Sequence, residues 1–346
     1  MTLTITLTAD RATGAGVDFN AGYANFFKSF TPSGFPLFNG PTSARTTQIV
    51  HLDTPVRGQE ANARAVLLDG DDFVYTWSNH SVSGTIREVS LTRLGDAYNP
   101  ATGQLVTRGG VVVDATDFIT ISGMNVTNRP GVKGDVHNIV AGLMGGGPNG
   151  GLADAAPLTA KVFGEAHSVF GSTGADRYVG TAWADAIRGG DGDDYLSGAN
   201  GNDAISGGNG RDTLLGGNGA DTLNGGAGAD ILRGGAGADR LTGGAGADVF
   251  VFNSIAETTG DRILDFSRSA GDRIQLDVID ANADISGNQA FKFIGTAGFS
   301  GAAGELRYAV GATSTTIAAD TDGDRVADMR IILEGQHTLI ANSFFL

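Results

Sequence analysis

The chain is 346 residues long and carries a formal net charge of −15, because 38 acidic residues outnumber 23 basic ones. Only 4 of the basic residues are lysine and no basic cluster occurs, which argues against a nucleic-acid partner. Cysteine is absent, which excludes disulfides and thiolate metal ligands, and no apolar run approaches the roughly 18 to 20 residues of a membrane span. Aspartate supplies 32 of the acidic residues, and such an excess of short carboxylates indicates hard cations as partners.

Residues 1–150 have the patterning of a separate α+β domain, in which a strand-like stretch lies between two amphipathic helices. The N-terminus alternates Thr with Leu and Ile, which predicts a strand and no cleaved signal peptide. Asp69-Gly70 stands between two apolar runs and predicts a hairpin turn. Residues 151–170 are expected to form a linker. Aromatic residues at helical spacing predict a helix near 19–30 with its rings on one face: Phe19, Tyr23, Phe26, Phe27 and Phe30.

A nine-residue period continues without slippage from Gly171 to Val251 and gives nine units of the form GGxGxDxUx, where U is apolar. The second unit, from Gly180, lacks two of the glycines, as expected of a terminal unit that caps the array. A flexible glycine-rich linker would show neither a fixed phase nor one apolar position per unit. The sixth position is always aspartate: Asp176, Asp185, Asp194, Asp203, Asp212, Asp221, Asp230, Asp239 and Asp248. The apolar position holds Tyr178, Ile187, Leu196, Ile205, Leu214, Leu223, Leu232, Leu241 and Phe250.

Each unit predicts a sharp turn, which glycine permits, followed by a short strand. When the units stack in a right-handed parallel β-roll, successive turns alternate between two sides, and the carbonyls and carboxylates of the turns enclose a cation. Oxygen-only ligands favour Ca²⁺. Besides the nine aspartates, the predicted ligands are the backbone carbonyls of Gly189, Gly190, Gly192, Gly207, Gly208, Gly210, Gly216, Gly217, Gly219, Gly225, Gly226, Gly228, Gly234, Gly235 and Gly237.

Residues 252–346 contain short alternating segments separated by turns, which predict a small C-terminal β domain. An acidic loop in this domain is a candidate for an additional Ca²⁺ site with Asp320, Asp322 and Asp324 as ligands. The loop has Ile331 where an EF-hand requires Glu at its twelfth position. A hairpin turn between two strands explains the segment equally well.

Three segments outside the strict repeat are distinctive: ADVFVF at 247–252, DRILDFSRSAGDRIQL at 261–276 and the terminal SFFL. Together with the nonapeptides they resemble the RTX family of bacterial exoproteins, and the C-terminal half of the serralysin proteases in particular. The resemblance implies a secreted protein that leaves the cell through a type I ABC exporter, which reads an uncleaved C-terminal signal. Residues 342–346 are similar to such a signal, and a buried last strand is compatible with the same residues.

The catalytic motifs that accompany such repeats in related exoproteins are absent from residues 1–150. The zinc-protease motif HExxHxxGxxH does not occur, and no two of the five histidines stand four residues apart. The lipase motif GxSxG does not occur either. The chain is therefore predicted not to be an enzyme.

Two segments of the N-terminal domain carry a further resemblance: FVYTWSNHSVSGTIREVSLTRLGD at 73–96 and ITISGMNVTNRPGVKGDVHNIVAGLMGG at 119–146. They follow an amphipathic helix and resemble the HasA family of secreted hemophores over roughly residues 1–150. The resemblance implies a curved antiparallel sheet with helices, and haem held between two loops. It also implies host haem proteins as haem donors and an outer-membrane haem receptor as a partner.

In that family a tyrosine phenolate ligates the ferric iron and a nearby histidine hydrogen-bonds the phenolic oxygen, and Tyr75 and His80 match these residues. A phenolate is a hard anionic donor for Fe(III), and a basic neighbour eases the loss of its proton. The second axial histidine of many members has no counterpart in the loop after the first helix. Phe35 and Phe38 of that loop are candidate haem contacts, and His51 beyond it is a reserve ligand.

The sequence thus predicts a multidomain, secreted protein that captures ferric haem outside the bacterial cell or at its surface. The haem-binding domain is joined to a calcium-folded RTX module. The rival interpretation is an RTX adhesin or S-layer-associated structural protein, in which the N-terminal domain keeps the hemophore fold but binds another ligand.

Overall fold

The computed structural model of the chain divides into two units, Met1–Phe170 and Gly171–Leu346. Within the described part of the chain, no helix is long and apolar enough to span a membrane. The described residues are 2–9, 15–28, 37–39, 48–52, 64–76, 81–93, 98–99, 104–105, 107–108, 111–112, 116–128, 139, 156–282 and 284–346.

Most described strands of the first unit belong to one antiparallel sheet. The strands are β1 (Thr2–Leu7), β2 (Leu37–Asn39), β3 (Gln48–Leu52), β4 (Arg64–Thr76), β5 (Ser81–Arg93), β6 (Tyr98–Asn99), β7 (Gln104–Leu105), β8 (Thr107–Arg108), β9 (Val111–Val112), β10 (Thr116–Asn128) and β11 (Ala166–Phe170). The sheet has the order β2-β3-β4-β5-β10-β1-β11, and only β1 and β11 pair in parallel. Two short hairpins, β6-β7 and β8-β9, lie outside it.

The described helices of the first unit share an aromatic cluster. They are α1 (Phe19–Lys28) and α2 (Ala156–Phe163). Phe19 and Tyr23 are buried, and their ring centroids lie 5.9 and 5.6 Å from that of Phe163. The predicted helix with its aromatic residues on one buried face is confirmed for residues 19–28, while Phe30 lies outside the described residues.

The Asp69-Gly70 pair does not form the predicted hairpin turn. It lies inside β4, where the pairing with β5 shifts its register. A Cβ atom at Gly70 would overlap the carbonyl oxygen of Thr85 in β5, so this position requires glycine for close strand approach and not for a reversal. Further register shifts occur between β5 and β10. Such bulges bend strands locally and increase their twist.

Residues 156–170 are folded structure of the first unit, although the sequence predicted a linker over 151–170. They contain α2 and β11, and β11 pairs in parallel with β1 from Thr2↔Ala166 to Thr6↔Phe170. His167 of β11 is fully buried, and its Nε2 lies 2.8 Å from the carbonyl oxygen of Val162. The helix α2 and the strand β11 therefore occupy much of the expected linker.

The nonapeptides form a parallel β-roll, which confirms the predicted fold of the array. Its strands are β12 (Arg177–Val179), β13 (Ala186–Asp191), β14 (Tyr195–Asn200), β15 (Ala204–Asn209), β16 (Thr213–Asn218), β17 (Thr222–Ala227), β18 (Ile231–Ala236), β19 (Arg240–Ala245) and β20 (Val249–Val251). The even-numbered strands β12 to β20 belong to one sheet and the odd-numbered strands β13 to β19 belong to another. Each strand pairs with the one 18 residues later, so two nonapeptides make one coil. Every predicted apolar position is at most 2% exposed.

The last part of the second unit continues the roll and then adds an antiparallel meander. Its strands are β21 (Arg262–Ile263), β22 (Arg273–Gln275), β23 (Lys292–Phe293), β24 (Glu305–Val310), β25 (Ser314–Asp320), β26 (Met329–Glu334) and β27 (Phe344–Phe345). β21 and β22 pair in parallel with β19 and β20, while β24, β25 and β26 are antiparallel. β27 pairs with β22, and within it Phe344 is buried while Phe345 is half-buried. Its use as an export signal stays a prediction.

Candidate functional site

The aspartates at the sixth position form two buried ladders, one along each side of the roll. All nine carboxylates belong to residues that are at most 2% exposed. From Asp176 to Asp230, the backbone N–H of each aspartate donates to Oδ1 of the aspartate 18 residues later, as Asp194 does to Asp212 at 2.8 Å. Seven such bonds, of 2.7–3.0 Å, join the nine residues. The backbone of one coil therefore fixes the orientation of each carboxylate in the next.

The other carboxylate oxygen, Oδ2, is buried without a hydrogen-bond partner in most of the ladder. A carboxylate oxygen buried without a donor costs free energy, and folded proteins rarely leave it uncompensated. Because the orphaned atom recurs at the same position in coil after coil, it indicates a repeated cation site. The residues with an orphaned Oδ2 are Asp194, Asp203, Asp212, Asp221, Asp230, Asp239, Asp248 and Asp261.

From Asp194 to Asp248, each orphaned oxygen lies in a small cradle beside the first glycine of its own unit. A Cβ atom at Gly189 would overlap both Asp194 Oδ2 and the carbonyl oxygen of Gly207 in the next coil. The same pair of oxygens surrounds the first glycines of four other units, Gly180, Gly207, Gly216 and Gly225. At Gly180 the carboxylate oxygen, Asp185 Oδ2, also accepts the backbone N–H of Thr181. A carboxylate and a carbonyl oxygen that converge on one point are ligands for a hard cation. The residues present therefore fit Ca²⁺.

The cradles depend on turns that only glycine adopts without strain. Gly208 and Gly210 have φ values of +122° and +133°, and a Cβ atom at either position would overlap a carbonyl oxygen of the preceding coil, that of Gly190 or Gly192. The fifteen glycines predicted as carbonyl ligands all occupy the first, second or fourth position of such turns. The carbonyl oxygens of Gly207, Gly225 and Gly234 each lie beside a ladder carboxylate, and the other carbonyl ligands stay predictions.

Burial raises the pKa values of the ladder carboxylates. Desolvation, with a smaller contribution from neighbouring aspartates, raises the pKa of Asp194, Asp203 and Asp261 to about 7. The same cause raises the pKa of Asp221 and Asp248 to about 6. The folded roll therefore holds ionised carboxylates at a cost in free energy, which a bound cation would offset.

Two aspartates outside the nine-residue period, Asp261 and Asp272, extend the ladders. Asp239 donates its backbone N–H to Asp261 Oδ1 at 2.8 Å, and Asp248 donates to Asp272 Oδ1 at 3.1 Å. Their spacings are 22 and 24 residues instead of 18, because additional residues form turns between the strands. Both stand in the tripeptide Asp-Arg-Ile, whose buried isoleucine takes the apolar position of the repeat. This tripeptide is the sequence signal that identifies them.

In the acidic loop between β25 and β26, the carboxylates accept hydrogen bonds from groups of the loop itself. Asp320, Asp322 and Asp328 have carboxylate oxygens within 4.8 Å of one another, and Asp324 is not part of this group. Asp320 accepts hydrogen bonds from backbone N–H groups three and five residues later, at 2.7 and 2.9 Å. Asp328 Oδ2 accepts from the backbone N–H and hydroxyl of Thr321, both at 2.7 Å. The loop connects two antiparallel strands, and the additional Ca²⁺ site stays a prediction.

The predicted iron ligand lies near the end of a β-hairpin. Tyr75 is the penultimate residue of β4 and pairs with Val82 in β5, and the next pair is Thr76 with Ser81. His80 lies outside the described residues and directly precedes β5 in the chain. The hairpin therefore brings the backbones on either side of its turn together, with Tyr75 on one strand and the segment that follows His80 on the other.

The other predicted haem residues lie at the edge of the same sheet or outside the described residues. Phe38 is in β2 and pairs with Ile49 in β3. His51, the reserve ligand, is in β3 and pairs with Val66 in β4. Phe35 lies outside the described residues. The haem contacts of this group stay predictions.

The model of a known family matches the array. The RTX calcium-binding nonapeptide repeat matches in four copies, at residues 170–205, 180–214, 197–232 and 215–250. No curated protein matches the chain. Among solved structures, the chain is similar to the AlgE6R2 subunit of the mannuronan C5-epimerase from Azotobacter vinelandii, with 24% identity over 49% of this chain and 91% of that chain and a TM-score of 0.30. It is also similar to the apo form of the hemophore HasA from Yersinia pestis, with 18% identity over 46% of this chain and 86% of that chain and a TM-score of 0.31. The second unit thus contains a parallel β-roll of RTX calcium-binding nonapeptide repeats.

Proposed function

We propose that the chain is an exported protein whose roll folds by binding Ca²⁺ along its two aspartate ladders. The observation that carries this proposal is the row of buried Oδ2 atoms without hydrogen-bond partners, from Asp194 to Asp261. Ca²⁺ takes six to eight oxygen ligands, and each cradle offers oxygens from two successive coils on one side. The ion would neutralise the carboxylates whose pKa values burial raises.

Export and calcium binding are linked in this proposal because metal binding supplies folding free energy. Charged ladders oppose folding until a cation is bound, so the chain would fold after it reaches a medium rich in Ca²⁺. The resemblance of the array and of residues 342–346 to RTX exoproteins supports a type I ABC exporter as partner. It also supports an extracellular or cell-surface location.

For the first unit we propose haem binding, with Tyr75 as the iron ligand and His80 as its hydrogen-bonding partner. The resemblance of residues 73–96 to secreted hemophores supports this assignment. The hairpin supports it as well, because Tyr75 pairs with Val82 and His80 stands two residues before Val82 in the chain. A phenolate with an imidazole near it in the chain suits Fe(III) ligation and its tuning.

The calcium proposal is tested on the full chain by far-UV circular dichroism after treatment with a chelator. Addition of Ca²⁺ to millimolar levels should increase the β signal, and a second addition of chelator should remove it. Mg²⁺ at the same concentration should have less effect, because it prefers an octahedral shell with several waters. A spectrum that is the same with chelator and with Ca²⁺ would refute the proposed calcium-driven folding.

The haem proposal is tested by absorbance titration of the full chain with ferric haem. Tyr75→Phe should abolish the phenolate-to-iron charge-transfer band and weaken haem uptake, while Tyr98→Phe, which removes another phenol of the same unit, should behave like the parent. His80→Ala should weaken uptake at neutral pH and recover as pH rises toward the free tyrosine pKa of about 10. If Tyr75→Phe binds haem like the parent, the haem assignment fails, and the adhesive or structural alternative takes its place for this unit.

A further inference from the structure

The first two units of the array have Ser172 and Thr181 at the second position, and the hydrogen bonds of these residues bear on calcium binding. We infer that Ser172 and Thr181 exclude Ca²⁺ from Asp176 and Asp185, so that each ladder begins with a metal-free turn. This inference rests on the proposed calcium ladders and limits where the ions are bound. It also assigns a role to two residues that depart from the repeat consensus.

Ser172 closes the first turn around its aspartate. Its backbone N–H donates to Asp176 Oδ2 at 2.5 Å, and its hydroxyl donates to Asp176 Oδ1 at 3.1 Å. Both carboxylate oxygens of Asp176 therefore accept hydrogen bonds within their own turn. In the next coil on the same side, Asp194 Oδ2 has no such donor. In the first turn the N–H and hydroxyl of Ser172 are thus the partners of the carboxylate, a role that a cation is proposed to have in the later turns.

Thr181 closes the first turn on the opposite side in the same manner. Its backbone N–H donates to Asp185 Oδ2 at 2.7 Å, and its hydroxyl lies 3.2 and 3.1 Å from Oδ1 and Oδ2. Asp185 is 2% exposed and Thr181 is 7% exposed, so water does not compete for these bonds. Since consecutive units lie on opposite sides, these two units are the first on each side.

The backbone conformation at the second position also differs between these two turns and the later turns of the array. From the third unit onward the second residue lies in the left-handed region, as Gly190 does at φ +113°. Ala199 occupies the same position at φ +76°, although it is not glycine. Ser172 and Thr181 are outside that region, and their turns direct an N–H and a hydroxyl at the carboxylate. The residue at the second position therefore determines whether the turn is closed by the chain or open to an ion.

One ladder has a closed turn at its other end as well. Asp272 Oδ2 accepts the backbone N–H of Ser267 at 2.7 Å, and Asp272 is absent from the residues with an orphaned Oδ2. The open carboxylates of that side thus run from Asp194 to Asp248 between two closed ones. A charge-assisted hydrogen bond to a buried carboxylate offsets part of the cost of burying its charge, so the benefit of a cation at that position is smaller. The closed turns therefore mark the limits of the ion-binding stretch.

The inference is tested by counting the Ca²⁺ ions bound per full chain by equilibrium dialysis. Asp176→Asn and Asp194→Asn form a matched pair on the same side of the roll. We expect Asp194→Asn to lower the count by at least one ion and Asp176→Asn to leave it at the parent value. An equal loss of calcium in both variants would overturn the inference.

A second variant tests the same point by gain of binding. Ser172→Gly creates the consensus GGTGAD in the first unit, so we expect one additional ion per chain, while Ser172→Thr keeps a hydroxyl and should retain the parent count. If Ser172→Gly binds the parent number of ions, the hydroxyl is not what excludes calcium and the inference fails. A parent chain that binds no Ca²⁺ would instead refute the proposed function, which keeps the two failures distinguishable.

Discussion

Removal of one charged carboxylate from a ladder should stabilise the calcium-free roll and destabilise the calcium-bound roll. Asp203 is 1% exposed, its Oδ1 accepts the backbone N–H of Asp185 at 2.8 Å, and its Oδ2 has no partner. In Asp203→Asn the amide oxygen can keep the bond to Asp185, but the charge is lost. Without calcium this relieves the cost of a buried charge, whereas with calcium it removes an anionic ligand.

The size of the calcium-free effect follows from the pKa of Asp203. Burial raises that pKa from 3.8 to about 7, and each unit corresponds to about 1.4 kcal/mol between the protonation states. The neighbouring carboxylates titrate together with Asp203 and water screens the open ladder, so a single substitution recovers only part of the full cost. We expect the free energy of unfolding of the calcium-free roll to rise by about 2 kcal/mol at pH 8.

Urea unfolding at pH 8, once with chelator and once with saturating Ca²⁺, measures both effects on the full chain. Asp203→Asn should unfold at higher urea than the parent with chelator and at lower urea with Ca²⁺. Asp191→Asn is the matched control, because Asp191 is exposed on the same array and should change neither midpoint by much. A shift of the same sign in both conditions would refute the charge argument.

Three other outcomes test the same physical picture. With chelator, the stability of the roll should fall as pH rises from about 4 to 7, because carboxylates with raised pKa values keep protons in the folded state that the unfolded chain releases. Thermal unfolding at several pH values measures this dependence. A stability that rises between pH 4 and 7 would contradict it. Leu214→Ala should lower the free energy of unfolding by about 3 kcal/mol, because Leu214 is fully buried between Leu196 and Leu232. Leu215→Ala, at a half-buried neighbour, should lower it far less. Equal losses in the two variants would contradict the described burial of Leu214. Deletion of residues 343–346 should keep the protein inside cells that carry a type I exporter, and its normal appearance in the medium would place the export address elsewhere.

The regular part of the roll could be predicted from the sequence because each position of the nonapeptide has a local physical role. Glycine permits the turn, the apolar residue fills the space between the sheets, and aspartate stands at the turn. Asp261 and Asp272 escaped the prediction because turns of different length interrupt the period before them. Their ladder positions depend on hydrogen bonds from Asp239 and Asp248, which spacing alone does not reveal.

Long-range pairing decided the features that the sequence did not predict in the first unit. The Asp69-Gly70 pair has the local preference of a turn, but pairing of β4 with β5 on both sides of it keeps the strand continuous through a bulge. Residues 166–170 pair with β1, which lies more than 150 residues earlier in the chain, and the local sequence does not reveal this pairing. The closing hydrogen bonds of Ser172 and Thr181 likewise depend on turn geometry that the consensus does not contain.

The most direct measurement of the central claim is calcium anomalous diffraction from crystals of the full chain grown with Ca²⁺. Anomalous density should lie beside Gly189, Gly207, Gly216 and Gly225, within coordination distance of the Oδ2 atoms that have no hydrogen-bond partner. Density away from the ladders, or none in crystals whose protein is folded as described here, would contradict the claim that these carboxylates bind calcium.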